Sequence, residues 1–230
     1  MLLYLCGHSR PDLQFAVSQC AHFIHGTKRS HKVALERIGQ YLKGTMEEGL
    51  VLKPNGSIDI ECFMDADFAG LFAFEDVLDP SCVKSRTGYI IRVSGCPIIW
   101  TSRLQTDIAS STMESEYNSL SMAMKELLPF QDLFKEVFKG LHLSNQFNST
   151  IKTTVWEDNM GCLKLARMAP GQYTPRSKHY AVKYHWFRSK LPGTNTIINY
   201  IESGKQIADI LTKSFTAARF RKVRKLLCGW

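Results

Sequence analysis

The chain has no run of the roughly 20 apolar residues that a helix needs to cross a bilayer. Its opening MLLYLC is short and lacks the basic stretch of a secretory signal. No Cys-x-x-Cys pair occurs. The seven cysteines are scattered, and an odd number argues against a complete disulfide framework and suits a reducing compartment. Cys20, His22 and His25 form a lone C-x-H-x-x-H group with no second ligand pair at zinc spacing, so it reads as ordinary helix. There is no internal repeat, no low-complexity segment and no Tyr-x-Asp-Asp motif, which argues against polymerase chemistry in this chain alone. Acids are missing from two stretches. Pro175 to Lys190 holds five Lys/Arg and two His without one, and the tail after Asp209 holds six Lys/Arg without one. Neutralising phosphate is the plainest use of two such clusters in a chain of net charge +8.

With 230 residues and 44% apolar content, the chain is long enough for one domain with an appendage or for two small ones, and it can bury a sizeable core. Residues 10–27 and 30–43 read as helices, with Pro11 in a first turn, Ser30 as a candidate cap and Gly44 as a stop. Residues 50–53 read as a strand and 54–56 as a turn. Strand patterns follow at 58–64, 87–93 and 97–101, the last two joined by a tight hairpin at Ser94-Gly95-Cys96. A long helix spans 112–139, with Pro129 a candidate break. A fourth strand (151–156), helices at 159–168 and 176–189, a fifth strand (196–201) and helices at 206–213 and 217–227 complete the pattern. The class is mixed α/β: a five-stranded mixed sheet with flanking helices, preceded by a small helical segment.

Four acids stand in distinctive contexts. Asp65 closes IDIECFMD, Glu116 lies in SSTMESEY, Asp158 ends TTVWED and Asp209 opens DILTK. Two follow strand-like runs and two sit at helical segments. Such carboxylates, gathered on one sheet, can hold two divalent ions, a device for phosphodiester cleavage. Asp65 and Asp67 share a strand face. Glu114 and Glu116 are roughly 200° apart on a helix, so one site cannot use both. The stripe Met113, Tyr117, Leu120, Met124 and Leu127 places Glu116 at the sheet-facing border and Glu114 outward with Asn118 and Ser121. Asp158 also reads as a helix cap, Asp209 as a favourable first-turn acid, and Glu157 alternates to the side opposite Asp158.

The stretches MDADFAG (64–70), KSRTGYI (84–90), GCPIIWTSRLQ (95–105), ASSTMESEY (109–117), EDNMGCLKLA (157–166), PRSKHYAVKYHWFR (175–188) and IADILTK (207–213) occur in one order. Together they resemble the ribonuclease H region of copia-type LTR retrotransposon polyproteins. Residues 8–45 are similar to the reverse-transcriptase thumb and connection that precede it. The link at 71–83 is longer than that family's usual one. The resemblance implies a ribonuclease H-like fold over 57–230 and a thumb/connection remnant over 1–56. It selects Asp65, Glu116, Asp158 and Asp209 as catalytic metal ligands, with Mg²⁺ in two positions and Mn²⁺ as substitute. It implies an endonuclease that cuts the RNA strand of RNA–DNA hybrids, leaving 5′-phosphate and 3′-hydroxyl ends. Partners would be the hybrid and the upstream reverse-transcriptase domains, in an intracellular setting, a cytoplasmic virus-like particle with the nucleus as the alternative. Arg176, Lys178, Lys183, Arg188, Arg221, Lys222, Arg224 and Lys225 are candidates for phosphate contact, and Ser110, Ser111 and Thr112 for the 2′-hydroxyl that separates RNA from DNA. The alternative is a silent nucleic-acid-binding or structural remnant.

Overall fold

The computed structural model describes residues 1–72, 74, 78–142, 151–169, 171–175, 178 and 185–230. Five strands form one sheet: β1 (Asp59–Asp67), β2 (Arg86–Val93), β3 (Cys96–Leu104), β4 (Lys152–Glu157) and β5 (Thr196–Tyr200), in the order β3-β2-β1-β4-β5. β1, β2 and β3 are antiparallel neighbours, while β4 runs parallel to β1 and β5 parallel to β4. The β2–β3 hairpin turns on Ser94 (φ 51°) and Gly95 (φ 80°), with Val93 opposite Cys96. Two positive φ values match the twist of antiparallel strands, and Gly adopts that conformation without strain. This is the five-stranded mixed sheet expected from the sequence, a ribonuclease H-like arrangement.

Alternation along β1 divides the core. Ile60, Cys62 and Met64, with Tyr89 and Ile91 of β2, pack on one face against Tyr117, Leu120, Ala123, Met124 and Leu127 of the long helix α4 (Thr112–Gly140), and α5 (Met160–Ala166) joins them. Phe63 and Ile90 point to the other face, which is covered by a 3₁₀ segment (Ile207–Leu211) and by Val223 and Leu227 of α6 (Ala217–Cys228). α4 is unbroken at Pro129, because Phe130 and Phe134 beyond it pack on the same core as Leu127 before it. Packing outweighs the one backbone bond that a proline removes.

Several sequence expectations change. The helix expected over 10–27 is a 3₁₀ turn (Pro11–Leu13) followed by α2 (Gln14–His22), and α1 (Leu2–His8) precedes them. With α3 (Arg29–Gly44) these helices bury a small core of Cys6, Leu13, Val17 and Ile38. They dock on the sheet through Trp100 Nε1 to the Cys6 carbonyl (2.7 Å) and Arg86 to Ser18 Oγ (2.9 Å) and Gln19 Oε1 (2.5 Å). Residues 50–53 are not a strand. Val51 N–H donates to the Cys228 carbonyl at 2.9 Å, so this stretch is held by the C-terminus rather than by the sheet. The expected 206–213 helix is the short 3₁₀ segment. The expected 176–189 helix lies mostly outside the described residues, and His185–Ser189 is a 3₁₀ turn.

Candidate metal centre

Strand register brings the first two acids together. β1 and β4 are parallel with Phe63 opposite Trp156, so Asp65 and Asp158 each follow two residues later at the carboxyl ends of adjacent strands. Asp158 does not cap the next helix. Asn159 does, accepting from the amides of Gly161 (2.9 Å) and Cys162 (3.0 Å), which leaves the half-buried Asp158 carboxylate free of that task. α4 crosses this end of the sheet and delivers Glu116, and Ser119 Oγ bonds the Asp65 carbonyl at 2.8 Å. One oxygen each from Asp65, Glu116 and Asp158 lie within 4.8 Å of one another.

Asp209 is brought in by the 3₁₀ segment. That segment descends onto β2 at Gly88, the residue opposite Asp65. A methyl at Gly88 would stand 2.7 Å from both Leu211 Cβ and Thr212 Cγ2, so only glycine permits this approach. Ser102 Oγ fixes the segment through the Leu211 carbonyl at 2.5 Å. Thr212 then hydrogen-bonds Asp65 Oδ2. Lys213 Nζ bridges Asp65 Oδ1 (2.9 Å) and Asp209 Oδ1 (3.0 Å), and Arg219 of α6 reaches Asp209 Oδ2 at 2.5 Å.

The electrostatics are those of crowded, dry carboxylates. Burial, then the charges of Asp65, Glu157 and Asp158, push Glu116 well above the usual carboxylate range. Glu116 Oε2 is buried with no hydrogen-bond donor among the described residues. Burial and Asp65 push Asp209 up to about 6, against the offsetting pull of Lys213 and Arg219. Asp67 also rises, through burial first, but its carboxylate curls back over Gly70, where a Cβ would lie 1.6 Å from Oδ2. Oxygen donors alone, one of them buried without a partner, fit a hard divalent cation.

No family model matches the chain. It is 30% identical to the retrovirus-related Pol polyprotein from transposon RE1 of Arabidopsis thaliana over 213 residues, which is 93% of this chain and 13% of that protein. It is 30% identical to the corresponding polyprotein from transposon TNT 1-94 of Nicotiana tabacum over 226 residues, 98% of this chain and 16% of that protein. The homologues of this chain are copia-type retrotransposon Pol polyproteins, and it spans under a fifth of their length. Among solved structures, LC11 ribonuclease H1 in complex with an RNA/DNA hybrid is similar at a TM-score of 0.43 and 16% identity, covering 67% of this chain and 94% of that one. The fold assignment rests on strand order and direction rather than on likeness at that level.

Other residues of the chain sit differently from their sequence expectations. Glu114 is not outward-facing. It is buried, its Oε2 accepting from Ser110 N–H (2.9 Å) and Ser110 Oγ (2.6 Å), while Ser111 Oγ accepts from Glu114 N–H. The pattern is a helix-capping exchange. Asn118 and Ser121 are buried as well, bonded to Gln105 (3.2 Å) and Trp186 (3.0 Å). Ser110 and Ser111 are thus engaged in the cap, and Thr112 is exposed. Glu157 is fully buried at the end of β4, accepts from Asn159 N–H at 2.8 Å, and is pushed up to about 8 by burial and the neighbouring acids.

Arg188 is 3% exposed and donates to the carbonyls of Leu165 (3.1 Å), Met168 (3.3 Å) and Gln172 (2.7 Å), so it is a buried tie rather than a surface cation. Arg176 and Lys183 lie outside the described residues, and Lys178 is exposed beside the Tyr173 ring. Arg221, Lys222 and Lys225 are exposed on α6. Arg224 is not: it stacks 3.8 Å from the Trp230 ring and donates to Tyr41 Oη at 3.1 Å. Sequence reasoning did not single out Thr212, Lys213 or Arg219. Thr212 and Lys213 lie inside the IADILTK stretch, and the i, i+4 spacing of Asp209 and Lys213 was a usable signal. Nothing in the sequence marks Arg219.

Proposed function

We propose that this Pol segment is a metal-dependent endoribonuclease of ribonuclease H type, cutting the RNA strand of RNA–DNA hybrids during reverse transcription. The observation that carries the reading is the convergence of Asp65, Glu116 and Asp158, with a buried Glu116 oxygen left unpartnered and Asp209 beside them. Asp65, Glu116, Asp158 and Asp209 would hold paired Mg²⁺ ions, with Mn²⁺ as substitute. When bound, such ions supply Lewis-acid neutralisation of charge at the scissile phosphate.

The protein's own residues fix the carboxylates. Thr212 and the strand register orient Asp65, α4 delivers Glu116, and the Asn159 cap leaves Asp158 free to turn into the site. The 3₁₀ segment lying over Gly88 sets Asp209. Arg221, Lys222 and Lys225 present cations to the hybrid's phosphates and position it without reading sequence. Thr112, exposed at the start of α4, is the residue of the Ser110–Thr112 group left to meet a 2′-hydroxyl. In this reading residues 1–56 continue the polymerase's thumb and connection, and the segment works beside its upstream reverse-transcriptase domains in a cytoplasmic particle.

Incubation of the purified chain with a labelled RNA–DNA hybrid and Mg²⁺, beside single-stranded RNA, tests the reading. Hybrid-selective cleavage leaving 5′-phosphate ends is the expected result. Tight hybrid binding without cleavage would refute it and leave a silent binding module.

A further inference from the structure

Two cavities beside the metal centre run into one groove along α2. The first, of about 260 Å³, is lined by Asp67 and Thr212 at the acid cluster, by Leu71 and Phe74 of the β1–β2 connection, and by Lys84 and Arg86. The second, of about 480 Å³, lies between α2, α3 and α6, with Arg37, Tyr41 and Phe220 on its walls. Phe15, Gln19 and Ser214 line both, so the groove is continuous from Asp67 to α3. Its rings are open: Phe74 is 86% exposed, and Phe15 and Phe220 are only half-buried. Its cations are uncompensated. Arg37 and Lys84 make no ion pair among the described residues. Arg86 is buried and donates to Ser18, Gln19 and Ser102, all neutral, with its guanidinium 5.5 Å from the centre of the Phe15 ring. Of the two acids on the walls, Asp12 is paired with Arg10, and Asp67 curls back over Gly70.

We propose that this groove binds unpaired nucleotides, the single-stranded extension of a hybrid held at the metal centre. Three features point to that occupant. The groove opens at Thr212, which bonds Asp65, so a strand leaving the hybrid enters it directly. Its cations are spread along its length, Lys84 and Arg86 in the first cavity and Arg37 in the second, as a phosphate backbone requires. Phe15 stands where the two cavities meet, with Phe74 and Phe220 to either side, and such rings receive a base by its face. In a duplex the bases stack on one another and hide that face, so a concave, ring-lined groove selects unpaired ones. An apolar polypeptide would cover the rings and leave the charge of Lys84, Arg86 and Arg37 unanswered. On this assignment α2 and α3 extend the substrate path beyond the sheet.

This inference rests on the nuclease reading, and extended hybrids separate the two. Fluorescence anisotropy would measure the affinity of the full chain for hybrids of one duplex length, blunt or carrying a short unpaired extension at either end of either strand. The RNA strand is 2′-O-methylated to prevent cleavage. At least one extension should tighten binding about fivefold or more over the blunt hybrid. The same extension made abasic should lose most of that gain. Phe74→Ala combined with Arg37→Gln, both at exposed positions, should also remove most of the gain and leave affinity for the blunt hybrid unchanged. If the pair does not fold, as judged by thermal unfolding, either single variant carries the same expectation. Equal affinity for blunt and all extended hybrids would overturn the proposal and leave the groove as a surface for protein. An undiminished gain in a folded variant, or an equal gain from the abasic extension, would overturn it as well. Cleavage of an unmethylated blunt hybrid with Mg²⁺ would in each case leave the nuclease reading standing. A gain from the extension with no cleavage of any hybrid would overturn the nuclease reading and leave the groove.

Discussion

Gly88→Ala tests whether the catalytic geometry depends on close approach at β2. The added methyl meets Leu211 Cβ and Thr212 Cγ2 at 2.7 Å and the Ala208 carbonyl at 3.3 Å. Ordinary carbon–carbon contact begins near 3.5 Å, so the 3₁₀ segment must rise by about 1 Å. Neither neighbouring carbon is the far end of a flexible chain, and Ser102 and Thr212 pin the segment from both sides. Overpacking of this kind costs about 1–3 kcal/mol. Restriction of the unfolded chain by alanine returns about 0.4–1 kcal/mol, leaving a net loss of about 1–2 kcal/mol. At this chain length that is a fall in Tm of roughly 2–8 °C. The effect on cleavage should be far larger, because Asp209, Thr212 and Lys213 move away from Asp65 together. A displacement of about 1 Å at a reacting centre costs on the order of 10²-fold in rate. The assay is hybrid cleavage under saturating Mg²⁺, paired with thermal unfolding. Cleavage within threefold of the unaltered rate, with Tm unchanged, would refute the reasoning.

The remaining expectations follow from individual side chains and ions. Glu116→Gln or Asp158→Asn should abolish hybrid cleavage with Tm retained, with the exposed Glu136→Gln as an active control; near-normal cleavage by either site variant in saturating Mg²⁺ would sink the ligand assignment. Mg²⁺ and Mn²⁺ should support turnover while Ca²⁺ binds without supporting it, since its looser coordination misaligns the reacting groups, and full activity in EDTA would exclude the mechanism. His185 is pushed down to about 4, by burial first and then Arg188, so its contribution to stability is present above about 6.5 and is lost as pH falls towards 4. The difference in Tm between the unaltered chain and His185→Gln should therefore vary over that window, and a pH-independent difference would contradict it. Changing Arg221, Lys222 and Lys225 to Gln should lower the slope of log affinity against log salt by about 0.7–0.9 for each phosphate that is no longer neutralised, with Tm unchanged, whereas Arg224→Gln should lower Tm instead.

The sheet was legible because two-residue alternation and turn chemistry are local. The strand pattern at 58–64 became β1, and Ser94-Gly95 turned where a hairpin of that length must. What escaped was set by residues distant in sequence. Residues 50–53 have a strand-like composition, yet the partner that claims Val51 is Cys228 at the far end of the chain. Pro129 signals a break, and only the packing of Phe130 and Phe134 on the shared core overrides it. The N-terminal helices divide at Pro11, whose own φ preference suits a helix start. The sequence reading placed that start at the right proline but did not separate the turn from the helix after it.

The acids were readable for a different reason. Asp65 and Asp158 each close an apolar strand run, where a carboxylate has few structural uses, whereas Glu116 lies inside α4 and Asp209 inside the 3₁₀ segment, and their sequence motifs marked them. Helix geometry also separated Glu116 from Glu114, though for an incomplete reason. It assumed that a helix has one wet face. The start of α4 is covered all round, from Glu114 to Ser121, so Glu114 is set apart by its bonds to Ser110 and not by exposure. The same error runs through the cations. A count of charges along a helix cannot tell Arg188, consumed by three carbonyls, or Arg224, stacked on Trp230, from Arg221 in solvent. Guanidinium groups are the cations most able to serve inside a protein, because their donors match several carbonyls at once and their planes stack on rings. In this chain the arginines are divided between burial and surface, and each exposed lysine of α6 is the better guide to where phosphate can bind. Arg219 belongs to neither group: it is half exposed, and its partner Asp209 stands outside the trio whose oxygens converge, joined to Asp65 through Lys213.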